Sequence, residues 1–239
     1  MTGTTSRTRS TAVFTAGAVS LLFTALMLWA RSGGPGSLAM VFTAVASGGY
    51  VLAAVLAEGL TSRYGLLMTG GLVFCLLGDL LGPGNFMLGL YAFVVAHFGI
   101  AGALFSNGID RKRARLAIPA AMLISAAVYF LWLGPAVPQA EQLQIIGYTV
   151  VITVMLIAAG SARRSRGLGI AQVGAVLFYV SDVFLANWRY VNTARWNMFV
   201  CYPLYYTACV LLAVSIYFTL SDRSRQATAR QRGSAQPAR

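Results

Sequence analysis

Charge is scarce in this chain. Only 10% of its 239 residues are charged, and acids are the rarest of them: six Asp and Glu against eighteen Lys and Arg, with a single His. Soluble domains carry about 25% charged residues, so the chain lacks the polar surface to coat a water-facing globule. Cysteine is nearly absent too. Cys75, Cys201 and Cys209 each fall inside an apolar stretch. They give no disulfide framework and, with one His, no metal-ligand spacing. The net charge of +12 is not a nucleic-acid signature, because the basic residues come in short clusters between apolar runs. That is how membrane topology signals are distributed. No nucleic-acid partner, metal or cofactor is expected.

What the chain has is apolar length: 58% of residues are hydrophobic, at a mean hydropathy of +0.71. A spanning helix needs roughly 20 apolar residues, and with short loops about eight fit. The hydropathy places spans at about 12–30, 38–57, 66–82, 86–106, 115–133, 142–160, 168–187 and 197–220. The fold class expected is an all-α, polytopic membrane protein. It comprises an N-terminal segment 1–11, an eight-helix domain 12–220 and a disordered basic tail 221–239. The first run reads as an uncleaved span, since Leu28-Trp29-Ala30-Arg31 makes a poor cleavage site. Heavy Arg, Ala and Gly usage reads as a bacterial composition, hence a plasma-membrane location.

Fifteen of the eighteen basic residues fall on the side of the N-terminus and three, Arg31, Arg189 and Arg195, on the other. By the positive-inside rule both termini are cytoplasmic. Spans three and seven also echo each other. Gly71 precedes Asp79 by eight positions, as Gly174 precedes Asp182, and a small residue (Gly78 or Ser181) stands directly before each Asp. A four-plus-four parallel repeat would produce this pattern.

Four acids sit at span ends: Glu58, Asp110, Glu141 and Asp222. Asp79 and Asp182 lie inside apolar runs, where a charge costs roughly 2.5–3.5 kcal/mol on insertion scales and acids are usually functional or paired. Each is about 20 Å along its span at 1.5 Å per residue, in the outer third of the membrane. The one His, His97, enters from the other side to a similar level. Tyr179 lies one turn before Asp182, and Asn187 lies beyond it. Tyr205 and Tyr206 follow in span eight. Tyr91 and His97 point to different sides of span four. Bland readings stand beside these: Asp79 as a helix-end hydrogen-bonding group, His97 as a packing residue, and Trp188, Tyr190, Trp196 and Tyr202 as interfacial anchors.

At these residues the sequence resembles the YhhN-like lysoplasmalogenases. Phe74-Cys-Leu-Leu-Gly78-Asp79, then Phe86-Met-Leu-Gly89-Leu90-Tyr-Ala92-Phe93 and His97, is similar to the family's Gly-Asp and Phe-x-x-Gly-Leu-x-Ala-Phe signature. Ser181-Asp182 resembles its Ser-Asp motif, and Tyr205-Tyr206-Thr-Ala208 its Tyr-Tyr-x-Ala element. Two positions depart from the pattern. The family's second-span Lys-Pro is replaced by a stretch reading Ser47-Gly48-Gly49-Tyr50, and Cys209 stands where Gln usually follows the Tyr-Tyr element.

The resemblance implies an ether hydrolase that cleaves the vinyl ether of a lysophospholipid to a fatty aldehyde and a glycerophospho-alcohol. Asp79 and Asp182 would be its catalytic acid–base pair, in an order left open. His97, Tyr179, Asn187, Tyr205 and Tyr206 would contact substrate or water. The partners implied are the lysophospholipid and the bilayer. Arg189 and Arg195 lie on the side of a lipid phosphate, or are simply solvated loop charges. A proton-coupled transporter and a non-catalytic lipid-binding protein are the alternatives from other classes.

Overall fold

The computed structural model describes residues 2–234, with side chains over 8–224. Among them are eight helices long and apolar enough to cross a membrane: α1 (Thr2–Ser32), α2 (Gly36–Leu56), α3 (Arg63–Leu81), α4 (Phe86–Ser106), α5 (Arg111–Val128), α6 (Gln142–Ser161), α7 (Arg166–Ala186) and α8 (Trp196–Ser234). In a bilayer the backbone has no water to bond with, so a spanning segment must satisfy its polar groups internally, as a helix does.

The helix starts are written in the loops. Ser62 accepts from the Gly65 amide, Asn85 from Met87 and Leu88, Asp110 from Lys112 and Arg113, and Ser165 from Leu168. A short polar side chain at that position satisfies amides that the first helical turn leaves free. Asp110 is thus a cap, in keeping with its place at a span end. Tyr129–Leu133 and Asn187–Val191 extend α5 and α7 as π turns. The tail expected to be disordered from Ser221 instead continues α8 as helix to Ser234. Its Arg, Gln and Ala residues are good helix formers, and extending an existing helix avoids the cost of nucleation. Residues 235–239 of that tail lie outside the described residues.

Helices pair as sequence neighbours, most closely α1 with α2, α3 with α4 and α7 with α8. Lipid offers no hydrophobic drive for helices to associate, so close backbone approach between small residues holds them. In the α3–α4 pair a Cβ on Gly99 would lie 2.9 Å from the Gly71 Cα, and one on Gly89 would lie 2.6 Å from the Gly82 Cα. α8 packs against α1, α2, α3 and α7 and is the most enclosed helix, whereas α5 is the least. Connectivity puts the α1–α2, α3–α4, α5–α6 and α7–α8 turns at one end of the bundle, here the far end. At the other end the α4–α5 and α6–α7 loops are joined. The Asp110 amide donates to the Ser161 carbonyl at 2.8 Å, and Arg113 to the Ala162 carbonyl at 2.7 Å.

Candidate active site

Asp79 lies in the last turn of α3, and Asp182 one turn before the end of α7. Both therefore face the far end of the bundle. They line one cavity of about 210 Å³, together with Phe93 and Tyr148 on the inner walls and Arg31 and Tyr202 toward the mouth. The two hairpins that carry the acids exchange partners across it. Asp79, from the α3–α4 pair, takes Tyr205 of α8, and Asp182, from the α7–α8 pair, takes His97 of α4.

The carboxyls are served differently. Three hydroxyls donate to a single oxygen, Oδ2 of Asp79: Ser47 at 2.5 Å, Tyr50 at 3.0 Å and Tyr205 at 3.0 Å. A hydroxyl has one proton to give. Ser47, having directed its own to Asp79, accepts from the Tyr206 hydroxyl 3.2 Å away. Tyr206 is thus one bond removed and orients Ser47. Three donors converging on one oxygen form a set suited to an ionised carboxylate, and such charge-assisted bonds are the stronger kind.

Asp182 meets no such set. Its Oδ2 stands 3.3 Å from Nε2 of His97, whose side chain is fully buried. The other ring nitrogen, Nδ1, is 2.6 Å from the Phe93 carbonyl oxygen. A carbonyl only accepts, so Nδ1 carries a hydrogen. Nε2 then faces the carboxyl with its lone pair or with a second proton. One proton between Nε2 and Oδ2 satisfies both groups, as AspOH with neutral His or as carboxylate with imidazolium. Neither atom has a hydrogen-bond partner among the described residues, so the two meet at ion-pair distance without an aligned bond. The His97 ring is wedged at 4.6 Å from Phe178 and 5.4 Å from Tyr148, both edge-on. The Tyr148 hydroxyl faces Asp182 without a directed bond of its own. Phe93, Phe178 and Tyr205 stack edge to face between the two acids.

Of the residues expected at the site, the structure brings together Asp79, Asp182, His97, Tyr205 and, at one remove, Tyr206. It does not bring in Tyr179 or Asn187. Tyr179 shares the helix of Asp182, but its hydroxyl turns outward to Ser125 of α5 at 3.1 Å, and it lines only a narrower crevice behind Asp182. Asn187 is past the helix end and donates to Asn197 at 2.7 Å, holding the α7–α8 turn. Tyr91 is exposed where His97 is buried, so the two do face different ways.

Glu58 pairs with Arg9, while Glu141 pairs with Arg189 and accepts from Tyr190. These two acids are ordinary span-end groups. Ser47 and Tyr50 were visible in the sequence only as a departure from a family pattern, Arg31 only as a basic residue on the far side, and Tyr148 not at all. A hydroxyl in an apolar helix has no signal of its own until its helix face is known. Among the described residues no group of three or more His, Cys, Asp and Glu is placed to hold a metal ion.

No curated protein and no solved structure matches the chain. One family model does, over residues 38–216, which takes in α2 to α7 and the first half of α8, and with them every residue around the two carboxyls except Arg31. By that match the chain is a member of the YhhN family.

Proposed function

We propose that the chain is an intramembrane hydrolase that cleaves the vinyl ether bond of lysoplasmalogens by acid–base catalysis at Asp182 and Asp79. The observation that carries this reading is the contrast between the carboxyls. One stands 3.3 Å from a buried imidazole nitrogen, and the other is dressed by three hydroxyl donors, in the same cavity. Family membership supports the class of protein, and the chemistry of the site supports the reaction.

A vinyl ether is cleaved by adding a proton to the carbon β to oxygen, which leaves an oxocarbenium ion. Asp182, backed by His97, is the group placed to give that proton. As it does so, the one proton of the pair is spent: the new carboxylate faces the Nε2 lone pair of His97, whose remaining hydrogen stays on Nδ1 against the Phe93 carbonyl, and the pair regains one proton before the next turnover. Asp79, held by Ser47, Tyr50 and Tyr205, stands as the carboxylate that stabilises the cation and takes a proton from the attacking water. Water adds to the oxocarbenium carbon to give a hemiacetal. Its collapse releases the aldehyde and returns the ether oxygen to the glycerol as a hydroxyl, so the proton first donated is balanced by the one taken from water. Phe93 and Tyr205 give the cavity an aromatic lining, with Phe178 packed edge to face behind them. A site near the far end lets a single-chain lipid keep its headgroup at the interface while its tail lies along the helices.

The test is product analysis with purified protein. A 1-alkenyl lysophospholipid is expected to yield fatty aldehyde, and its 1-acyl and 1-alkyl analogues none. Aldehyde from none of them, across several headgroups, would refute the reading in favour of transport or binding. Fatty acid from the 1-acyl lipid would reassign the chain to ester hydrolysis.

A further inference from the structure

Arg31 stands where two cavities meet. It closes the last turn of α1 and reaches the mouth of the cavity that holds Asp79 and Asp182. The same residue lines an open depression at the far end of the bundle, with Trp188 and Arg195. Its guanidinium lies 5.2 Å from the centre of the Tyr202 ring, and its Nε is buried without a hydrogen-bond partner. Among the described residues no carboxylate pairs with it.

The neighbouring cations are occupied. Arg189 is held 3.6 Å from Glu141 and stacks on Phe86. Arg195 donates to the backbone carbonyl of Arg31 at 2.5 Å, fixing the turn from which Arg31 projects. No acid lines the depression. A partly buried guanidinium without a counter-ion, at the junction of an acid-lined and an acid-free cavity, is a site built for an anion.

Register supplies the length. Tyr202, under the guanidinium, precedes Tyr205 and Tyr206 by about one turn of α8, roughly 5 Å of rise. Tyr205 is bonded to Asp79. The guanidinium therefore lies about one helical turn nearer the far end than the carboxyl that would meet the ether. In a lysophospholipid the phosphate stands off from the ether oxygen by a glycerol backbone, a comparable reach. Resting on the hydrolase reading above, we infer that Arg31 binds the phosphate of the ether lipid and that the depression beyond it takes the headgroup alcohol, disfavouring cationic headgroups. Arg189 and Arg195, the two loop arginines first considered for a phosphate, are respectively engaged elsewhere and given to holding Arg31 in place.

The experiment compares wild type, Arg31→Gln and Arg189→Gln on four 1-alkenyl lipids: a phosphomonoester, a phosphoglycerol, a phosphocholine and the phosphate-free 1-alkenylglycerol. Wild type is expected to favour the monoester and phosphoglycerol over phosphocholine. Arg31→Gln should lower kcat/KM on the phosphate lipids by about 10- to 100-fold, mostly through KM, as expected for losing a charged hydrogen bond. The advantage over 1-alkenylglycerol then collapses, while Arg189→Gln keeps it.

Binding is read separately, by thermal stabilisation with an uncleavable 1-alkyl lysophospholipid, which should protect wild type and not Arg31→Gln. Arg31→Lys, which keeps the charge and loses the fork, should fall between them and serves if the Gln variant does not fold. Equal protection of wild type and the Arg31 variants would overturn the assignment, as would equal protection by inorganic phosphate alone, the mark of a free-anion site. Absence of turnover on every lipid would instead sink the hydrolase reading, and the 1-alkyl lipid would still decide Arg31.

Discussion

Two aspartates of the same type and similar depth differ in what surrounds them, and the roles proposed for them rest on that difference. Asp79 answers to three donors from two helices: Ser47 and Tyr50 on α2 and Tyr205 on α8. Removing one, by Ser47→Ala or Tyr50→Phe, leaves the carboxylate less stabilised. Turnover should drop about 10- to 100-fold per donor, the value of a hydrogen bond to a charged group, with little change in affinity for a 1-alkyl lipid. An unchanged kcat in both would remove Asp79 from the charged role. His97→Gln, which acts through Asp182, should lower kcat by about 10- to 100-fold, the value of a hydrogen bond to a charged group, again with lipid affinity retained. Both acids were legible because charge inside an apolar run is conspicuous. Ser47 and Tyr50 were not, because hydroxyls pass unremarked in a membrane helix until the acceptor they meet is known. Their stretch marks a departure from the family pattern, yet it supplies two of the three donors around Asp79.

At the scale of the helix, hydropathy located all eight spans and missed mainly their ends. The caps Ser62, Asn85 and Asp110 and the extension of α8 through Ser234 are set by local polar chemistry that hydropathy does not read. Face is the other thing it does not read. Tyr179 and Asn187 were drawn to the site by nearness to Asp182 in sequence, but one turns to α5 and the other to the α7–α8 turn. The small-residue seam of α3 and α4 gives a prediction at this scale. Gly89→Ala puts a methyl against the Gly82 backbone, whereas Gly48→Ala meets nothing within 4 Å. The first should lower the unfolding temperature in detergent by several degrees and disturb Asp79, three residues before Gly82. The second should be neutral. Similar melting of both would mean that the α3–α4 approach contributes little.

For the molecule as a whole, the distribution of arginine predicts that the loop containing Thr193 is outside and the one containing Arg164 inside. Thr193→Cys should be labelled by an impermeant maleimide on intact cells, and Arg164→Cys only after permeabilisation; the reverse pattern would invert the topology and turn the site toward the cytoplasm. The architecture ties this topology to chemistry, because two helix hairpins each bring one acid and one partner for the other's acid to the same far-end cavity. That pairing is the central claim. Its most direct measurement is aldehyde release from a 1-alkenyl lysophospholipid by wild type, Asp79→Asn and Asp182→Asn, with binding of the uncleavable 1-alkyl lipid followed in parallel. The account predicts that both variants bind the lipid and that each loses at least about 100-fold in turnover. Aldehyde release at the wild-type rate by either variant would contradict it.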